Sequence, residues 1–209
     1  MKKSHNISQQ SVGFDKKICY TWTHNPQRGD TQMETTKDRI LNAFWKLAEQ
    51  NSLYTIKVKH VTDLAACNRC TFYLYFNDIY DLLDFAEDDL LQKIQNSIEH
   101  AYSPDISHQQ MLHIAAASFH QYGKYLALLF GPNGSPSFQM KYKKALRPIV
   151  SRLIQSAGHT DNEFLCEYIT GAFISTVCYW YEHPDIMTVN ELVSMIYQLM
   201  TEGFIPKHE

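Results

Sequence analysis

Val58-Lys59-His60-Val61-Thr62-Asp63-Leu64-Ala65-Ala66-Cys67-Asn68-Arg69-Cys70-Thr71-Phe72-Tyr73-Leu74-Tyr75 reads as two short helices joined by a tight turn. Val58, Val61, Leu64 and Ala65 recur at helical spacing and mark the first helix. Asn68 is a good N-cap for the second, roughly Arg69 to Tyr75, because its amide oxygen can accept from a free N–H of the first turn. Arg69, Cys70 and Thr71 occupy that first turn, where a helix laid in a DNA major groove meets base edges. Phe72 and Phe76, four residues apart, would hold this helix onto a core. Tyr73 and Tyr75 carry hydroxyls that can reach phosphates, and Lys57 and Lys59 can neutralise the flanking backbone.

Working outward, the period remains helical on both sides. Upstream, Thr35 with Asp38 resembles a capping box, and Ile40, Phe44, Leu47 and Ala48 then fall on one face of a helix ending near Asn51. Downstream, Asn77 or Asp78 can cap a long helix with an apolar stripe through Ile79, Leu82, Leu83, Ala86, Leu90, Ile94 and Ile98, stopped before Pro104. Further helices are expected near 107–130, 136–157, 161–182 and 188–203. Gly131-Pro132-Asn133-Gly134 is a strong break, Gly158 and Pro184 mark later ends, and Thr188 with Glu191 makes another capping box. Pro148 is expected to kink or split the helix that carries it. No convincing strand alternation and no internal repeat is present, so the expected class is all-α. The expected division is a disordered tail over 1–33, a helix-turn-helix domain over 34–83 and a helical ligand-binding and dimerisation domain over 84–209. The tail follows from its Ser, Gln, Asn, His and Lys content, without an apolar period.

Composition narrows the classes further. Of 209 residues, 44% are apolar, enough for a real core, and the net charge is −3. That charge is unevenly spread. Residues 1–83 hold 11 Lys+Arg against 8 Asp+Glu, whereas residues 84–209 hold 8 against 14. A mildly basic N-terminal part can approach phosphates; the acidic remainder does so less well. Five scattered cysteines fit a reducing compartment. The polar N-terminus lacks the apolar region of a signal peptide, and the longest apolar run, Leu126 to Phe130, is too short to span a bilayer. A cytoplasmic chain without a membrane partner is expected.

Val61 to Leu83, above all the portion Arg69-Cys70-Thr71-Phe72-Tyr73-Leu74-Tyr75-Phe76-Asn77-Asp78-Ile79-Tyr80-Asp81-Leu82-Leu83, resembles the signature of TetR-family regulators. Leu128 to Phe138 looks like a loop found in one C-terminal subgroup of that family, and the Trp180 region and final helix sit where that subgroup has them. The resemblance implies a homodimer with a DNA-binding head and an all-α ligand-sensing body. It would be a repressor on a pseudo-palindromic double-stranded DNA operator, released by an unknown small-molecule effector. An adaptor or co-activator working through a protein partner, or a small-molecule-binding protein with a vestigial head, are the alternatives. Family DNA contacts would fall on Lys57, Lys59, Asn68, Arg69, Thr71, Tyr73 and Tyr75, with Cys70 on the same surface. Three positions depart from the pattern. Ala66 replaces the usual Gly in the turn, Lys57 the usual Ser/Thr cap, and Ile79 the usual Lys at the start of the fourth helix. A lysine at a helix N-terminus is unfavourable unless a phosphate lies there.

Other features have a sharp and a bland reading. Cys67-Asn68-Arg69-Cys70 is a Cys-x-x-Cys, but no second pair exists and His60 is the only nearby histidine. A redox couple or half a zinc site is thus weighed against a small turn residue and a surface thiol, and the latter is preferred. His108, His113 and His120 lie on one expected helix without a carboxylate at metal-like spacing, and read as core or pocket-lining residues. Among the many aromatic residues of the body, His120, Phe138, Tyr142 and Phe173 are the ligand-binding candidates. Phe164, Tyr168, Gly171, Ala172, Ser175 and Thr176 combine apolar and small side chains that permit close helix approach, as a dimer interface needs. Glu87-Asp88-Asp89 reads as a solvated helix face. No nucleophile elbow, phosphate loop or dinucleotide fingerprint occurs, so neither an enzyme nor a cofactor is expected.

Overall fold

The computed structural model describes residues 34–98, 107–156 and 162–201. All of these except Glu34 lie in one compact unit, Thr35–Glu209; the tail expected over 1–33 falls outside the described residues. Among the described residues the elements are eight α-helices and one 3-10 turn, with no strand. They are α1 (Thr36–Ala48), the turn Leu53–Thr55, α2 (Val58–Leu64), α3 (Arg69–Tyr73), α4 (Ile79–Ile98), α5 (His108–Phe130), α6 (Pro136–Ser156), α7 (Glu163–Glu182) and α8 (Val189–Thr201).

The helix starts follow from local chemistry. Thr35 and Asp38 form a reciprocal box, with the Thr35 Oγ1 accepting from the Asp38 N–H at 3.1 Å and the Asp38 carboxylate accepting from the Thr35 N–H at 3.1 Å. Donation from the Thr35 hydroxyl and amide holds the Asp38 carboxyl below its ordinary value. Thr188 and Glu191 repeat the arrangement at α8. Asp78 caps α4, accepting from the N–H groups of Tyr80 and Asp81 at 2.8 and 2.9 Å. Ser107 with Gln110 does the same for α5.

α1, α2 and α3 form a head, and α4 carries it into a body in which α4 packs on α5 and α6, α6 on α7, and α5 on α8. One apolar core runs through both, from Ile40 and Phe44 past Phe72 and Leu82 to Phe130, Phe138 and Val177. Head and body also meet through polar and ring contacts. Trp45 of α1 packs its ring 4.8 Å from Tyr125 of α5. Glu49 pairs with Lys124 at 3.2 Å, and the Lys37 ammonium sits 3.6 Å over the Phe85 ring.

Gly131-Pro132-Asn133-Gly134 ends α5 as expected, and the two glycines are needed for close approach. A Cβ on Gly131 would lie 2.4 Å from the Ala127 carbonyl oxygen, and one on Gly134 would lie 2.3 Å from that of Leu129. This tight return delivers Ser135 to α4, where its hydroxyl donates to the Glu87 carboxylate and also accepts from the Phe138 N–H. Glu87 is therefore a correction to the sequence reading: it is 1% exposed. Its second oxygen lies 3.2 Å from the Lys141 ammonium, which also pairs with Asp84 and Asp88. The partners that make burial tolerable come from α6 and the loop before it, far along the chain.

Two further expectations are narrowed. Pro148 lies inside α6 without splitting it. Pro148 and Lys144, whose carbonyl loses its intrahelical partner, are both exposed, so water can take the freed group. His113 and His120 are exposed rather than core residues, although His113 lines a surface cleft with Ser107, Gln109, Gln110 and Ile114, and no group of three metal-ligating side chains occurs among the described residues. The side chain of His108 is outside the described set.

Candidate nucleic-acid interface

The head surface is built by α2, the turn after it, and α3. α2 starts at Lys57, whose side chain makes no cap; instead the Lys57 N–H donates to Nδ1 of His60 at 3.4 Å. The lysine is thereby left exposed beside a helix start. The chain leaves α2 through Ala65 and Ala66. Ala66 has φ 49° and is, among the described residues, the one non-glycine in the left-handed region. The Cys67 N–H then returns to the Thr62 carbonyl at 3.1 Å, which aims Asn68 at α3. Asn68 Oδ1 accepts from the Thr71 N–H at 2.7 Å and from the Thr71 hydroxyl at 2.9 Å. This cap fixes the first turn of α3, Arg69-Cys70-Thr71.

Phe72 and Phe76 are buried and their rings lie 5.7 Å apart, with Phe76 also 5.5 Å from Phe85 of α4. They clamp α3 from behind, as the spacing implied. Lys57, Lys59, Asn68, Arg69, Cys70, Tyr73 and Tyr75 are all exposed, and Thr71 is half-buried under its own cap. Lys57, Lys59 and Arg69 take part in none of the ion pairs among the described residues. Cys67 is half-buried and Cys70 exposed, both as free thiols, and burial pushes the Cys67 thiol up. Ile79 packs against the core rather than offering a charge. Sequence reading passed over Leu74, which is 80% exposed at the end of α3. Its i,i+4 spacing from Cys70, away from the Phe72 face, was the signal available.

The body holds the ligand candidates differently from one another. Phe138 and Tyr142 are buried, and Tyr142 stacks on Phe173 with ring centroids 6.1 Å apart. Phe130 joins Phe138 and Tyr142 at 5.3 Å each and stacks on Tyr181. His120 is exposed and has no place in these ring pairs. The Tyr181 hydroxyl is buried without a hydrogen-bond partner, and burial raises its pKa well above the ordinary phenol value. A cleft of about 300 Å³ lies elsewhere, between residues 48–53 and 127–133; none of the four candidates lines it. The exposed face of α7 carries Phe164 (85% exposed), Tyr168, Ala172, Ser175 and Tyr179 in one stripe, whereas Gly171 and Thr176 are half-buried.

Residues 107–202 match a family model described as a TetR-type transcriptional regulator C-terminal region. That match covers a little under half of the chain, its C-terminal part. Solved TetR-family structures share the fold. A regulator from Streptococcus agalactiae 2603V is 24% identical with a TM-score of 0.64, over 79% of this chain and 93% of that one. A TetR-family regulator from Syntrophomonas wolfei is 18% identical with a TM-score of 0.66, over 83% and 98%. A dihydroxyacetone kinase operon activator, DhaS, is 20% identical with a TM-score of 0.58, over 79% and 93%. No curated protein matches by sequence. The chain thus has the all-helical fold of these TetR-family structures, and among the described residues no helix is long and apolar enough to cross a membrane.

Proposed function

We propose that this chain is a ligand-responsive DNA-binding regulator of the TetR family, a repressor released by a small molecule. Residues 34–83 would act as the DNA-binding head and 84–209 as the sensing and dimerising body. The observation that carries the DNA reading is the head surface itself: a capped, core-anchored helix α3 flanked by Lys57, Lys59 and Arg69, which are free of ion pairs. Such cations release counterions when they meet phosphates. A second copy on the exposed stripe of α7 would set two heads on successive major grooves. An effector would enter near Phe138, Tyr142 and Phe173, where the unpartnered Tyr181 hydroxyl offers a polar handle in an aromatic setting. Its binding would change the separation of the heads.

The test is titration of the full chain against the DNA upstream of its own gene. A specific complex with two chains per duplex is expected, and Arg69→Ala should weaken it roughly 5- to 150-fold, equivalent to about 1–3 kcal/mol for a base contact. Equal affinity of the two proteins would remove Arg69 from the reading surface.

A second reading is an activator that acts through a protein partner. The likeness to a structure described as an operon activator supports it, as does Ile79, which withdraws one cation from the phosphate-facing set. Transcription that falls, rather than rises, on deletion of the gene would favour it.

A further inference from the structure

Leu74 is the most conspicuous side chain of the head that the proposed base and phosphate contacts leave unused. It closes α3 in a helical conformation, with φ −74° and ψ −21°. The Phe76 N–H still bonds back to the Phe72 carbonyl at 3.0 Å, so the helical turn continues to Phe76. At about 100° per residue, Leu74 and Cys70 fall opposite Phe72 and Phe76. The outermost ridge of α3 is therefore apolar, and Leu74 on it is 80% exposed. Arg69 and Tyr73 lie on one side of that ridge and Thr71 and Tyr75 on the other.

We propose that Leu74 is a specificity-determining residue that takes the C5-methyl group of a thymine in the major groove, with Cys70 beside it. The inference rests on the proposed DNA binding by α3 and goes beyond it by naming a base. The thymine methyl is the one apolar group that base edges present in that groove. A nucleic acid, rather than a protein groove, is the occupant favoured by the surroundings: exposed Arg69, Tyr73 and Tyr75 border the ridge, and exposed Lys57 and Lys59 lie at the start of the neighbouring helix α2, the three cations making no ion pair among the described residues.

The experiment uses the full chain and a duplex selected by it from a randomised pool, with each thymine replaced in turn by deoxyuridine. Loss of the methyl at one thymine per half-site should weaken the wild-type protein about fourfold. That follows from about 0.8 kcal/mol per buried methyl-sized group and 1.4 kcal/mol per tenfold. Leu74→Ala should bind the parent duplex more weakly and show no loss at that thymine, while its thermal unfolding stays that of wild type. Retained sensitivity of Leu74→Ala to the same replacement overturns the proposal. So does unchanged affinity of Leu74→Ala, which would assign the ridge to a protein contact. Selection of no duplex at all overturns the DNA reading and this inference together, whereas binding that ignores every methyl overturns only the inference.

Discussion

Lys141 in the body and Lys59 in the head are the same residue type in opposite settings. Lys141 is three-quarters buried between α4 and α6 and reaches three carboxylates, those of Asp84, Glu87 and Asp88. Burial alone would pull its pKa down, but hydrogen bonds to Asp84, Asp88 and Glu87 outweigh that and hold it well above the ordinary lysine value. Lys59 is exposed on α2 and has no ion pair among the described residues. The contrast extends beyond these two lysines. Lys143 and Arg147 of the body pair with carboxylates between α6 and α7 and Lys93 with one in its own helix, whereas Lys57 and Arg69 of the head pair with none among the described residues. Body charge holds helices together. Head charge is left available, as the proposed contact with phosphates requires.

The largest effect should come from breaking the buried set. Lys141→Met leaves the Glu87 carboxylate, 1% exposed, with a serine hydroxyl but no counter-charge. Removal of one partner of a buried pair typically costs several kcal/mol; because Lys141 is partly solvated, about 3 kcal/mol is expected here. For a chain of this size that is a fall in Tm of roughly 6–12 °C. Adding Glu87→Gln to Lys141→Met should recover much of the loss. A Tm unchanged in the single variant would mean that the cluster is a surface feature and that head and body do not differ in their use of charge.

A middle-sized effect tests the hinge of the head. Ala66 holds φ 49° at a place where a β-carbon is unfavourable by about 1–2 kcal/mol. Ala66→Gly removes that strain but gives the unfolded chain more freedom, so a net gain of about 1 kcal/mol is expected. Thermal unfolding should shift upward by roughly 2–4 °C. A downward shift would show that the turn is relaxed in solution and that Asn68 is aimed by other contacts.

The residues explain what could be seen in advance and what could not. Thr35 with Asp38, Asn68, and Thr188 with Glu191 announced their helices because capping is local: donor and acceptor lie within three residues. The left-handed turn was legible as an alanine standing where a glycine is usual. Glu87 was not, because its burial depends on Ser135 and Lys141, 48 and 54 positions away, and a carboxylate among others reads as solvated until its partner is placed. Pro148 left a kink and a split both open for a related reason: its consequence depends on whether the freed carbonyl meets water. Leu74 escaped notice because an apolar residue in a helix is ordinarily assigned to the core, and only the angle from Phe72 and Phe76 turns it outward.

The smallest effect on stability should come from Lys59, and it discriminates best. Lys59→Ala removes no ion pair and uncovers no buried group, so stability should change by no more than about 0.5 kcal/mol. Binding to DNA should weaken for specific and nonspecific sequences alike, and the dependence of log affinity on log salt should flatten by about 0.9 for each phosphate that the variant no longer neutralises. Arg69→Ala, by contrast, should act mainly on the preferred sequence. A Lys59 variant that destabilises the fold while leaving the salt slope intact would place the lysine in the same structural role as Lys141. The distinction between a head that holds its charge open and a body that commits it to packing would then fail at its clearest point.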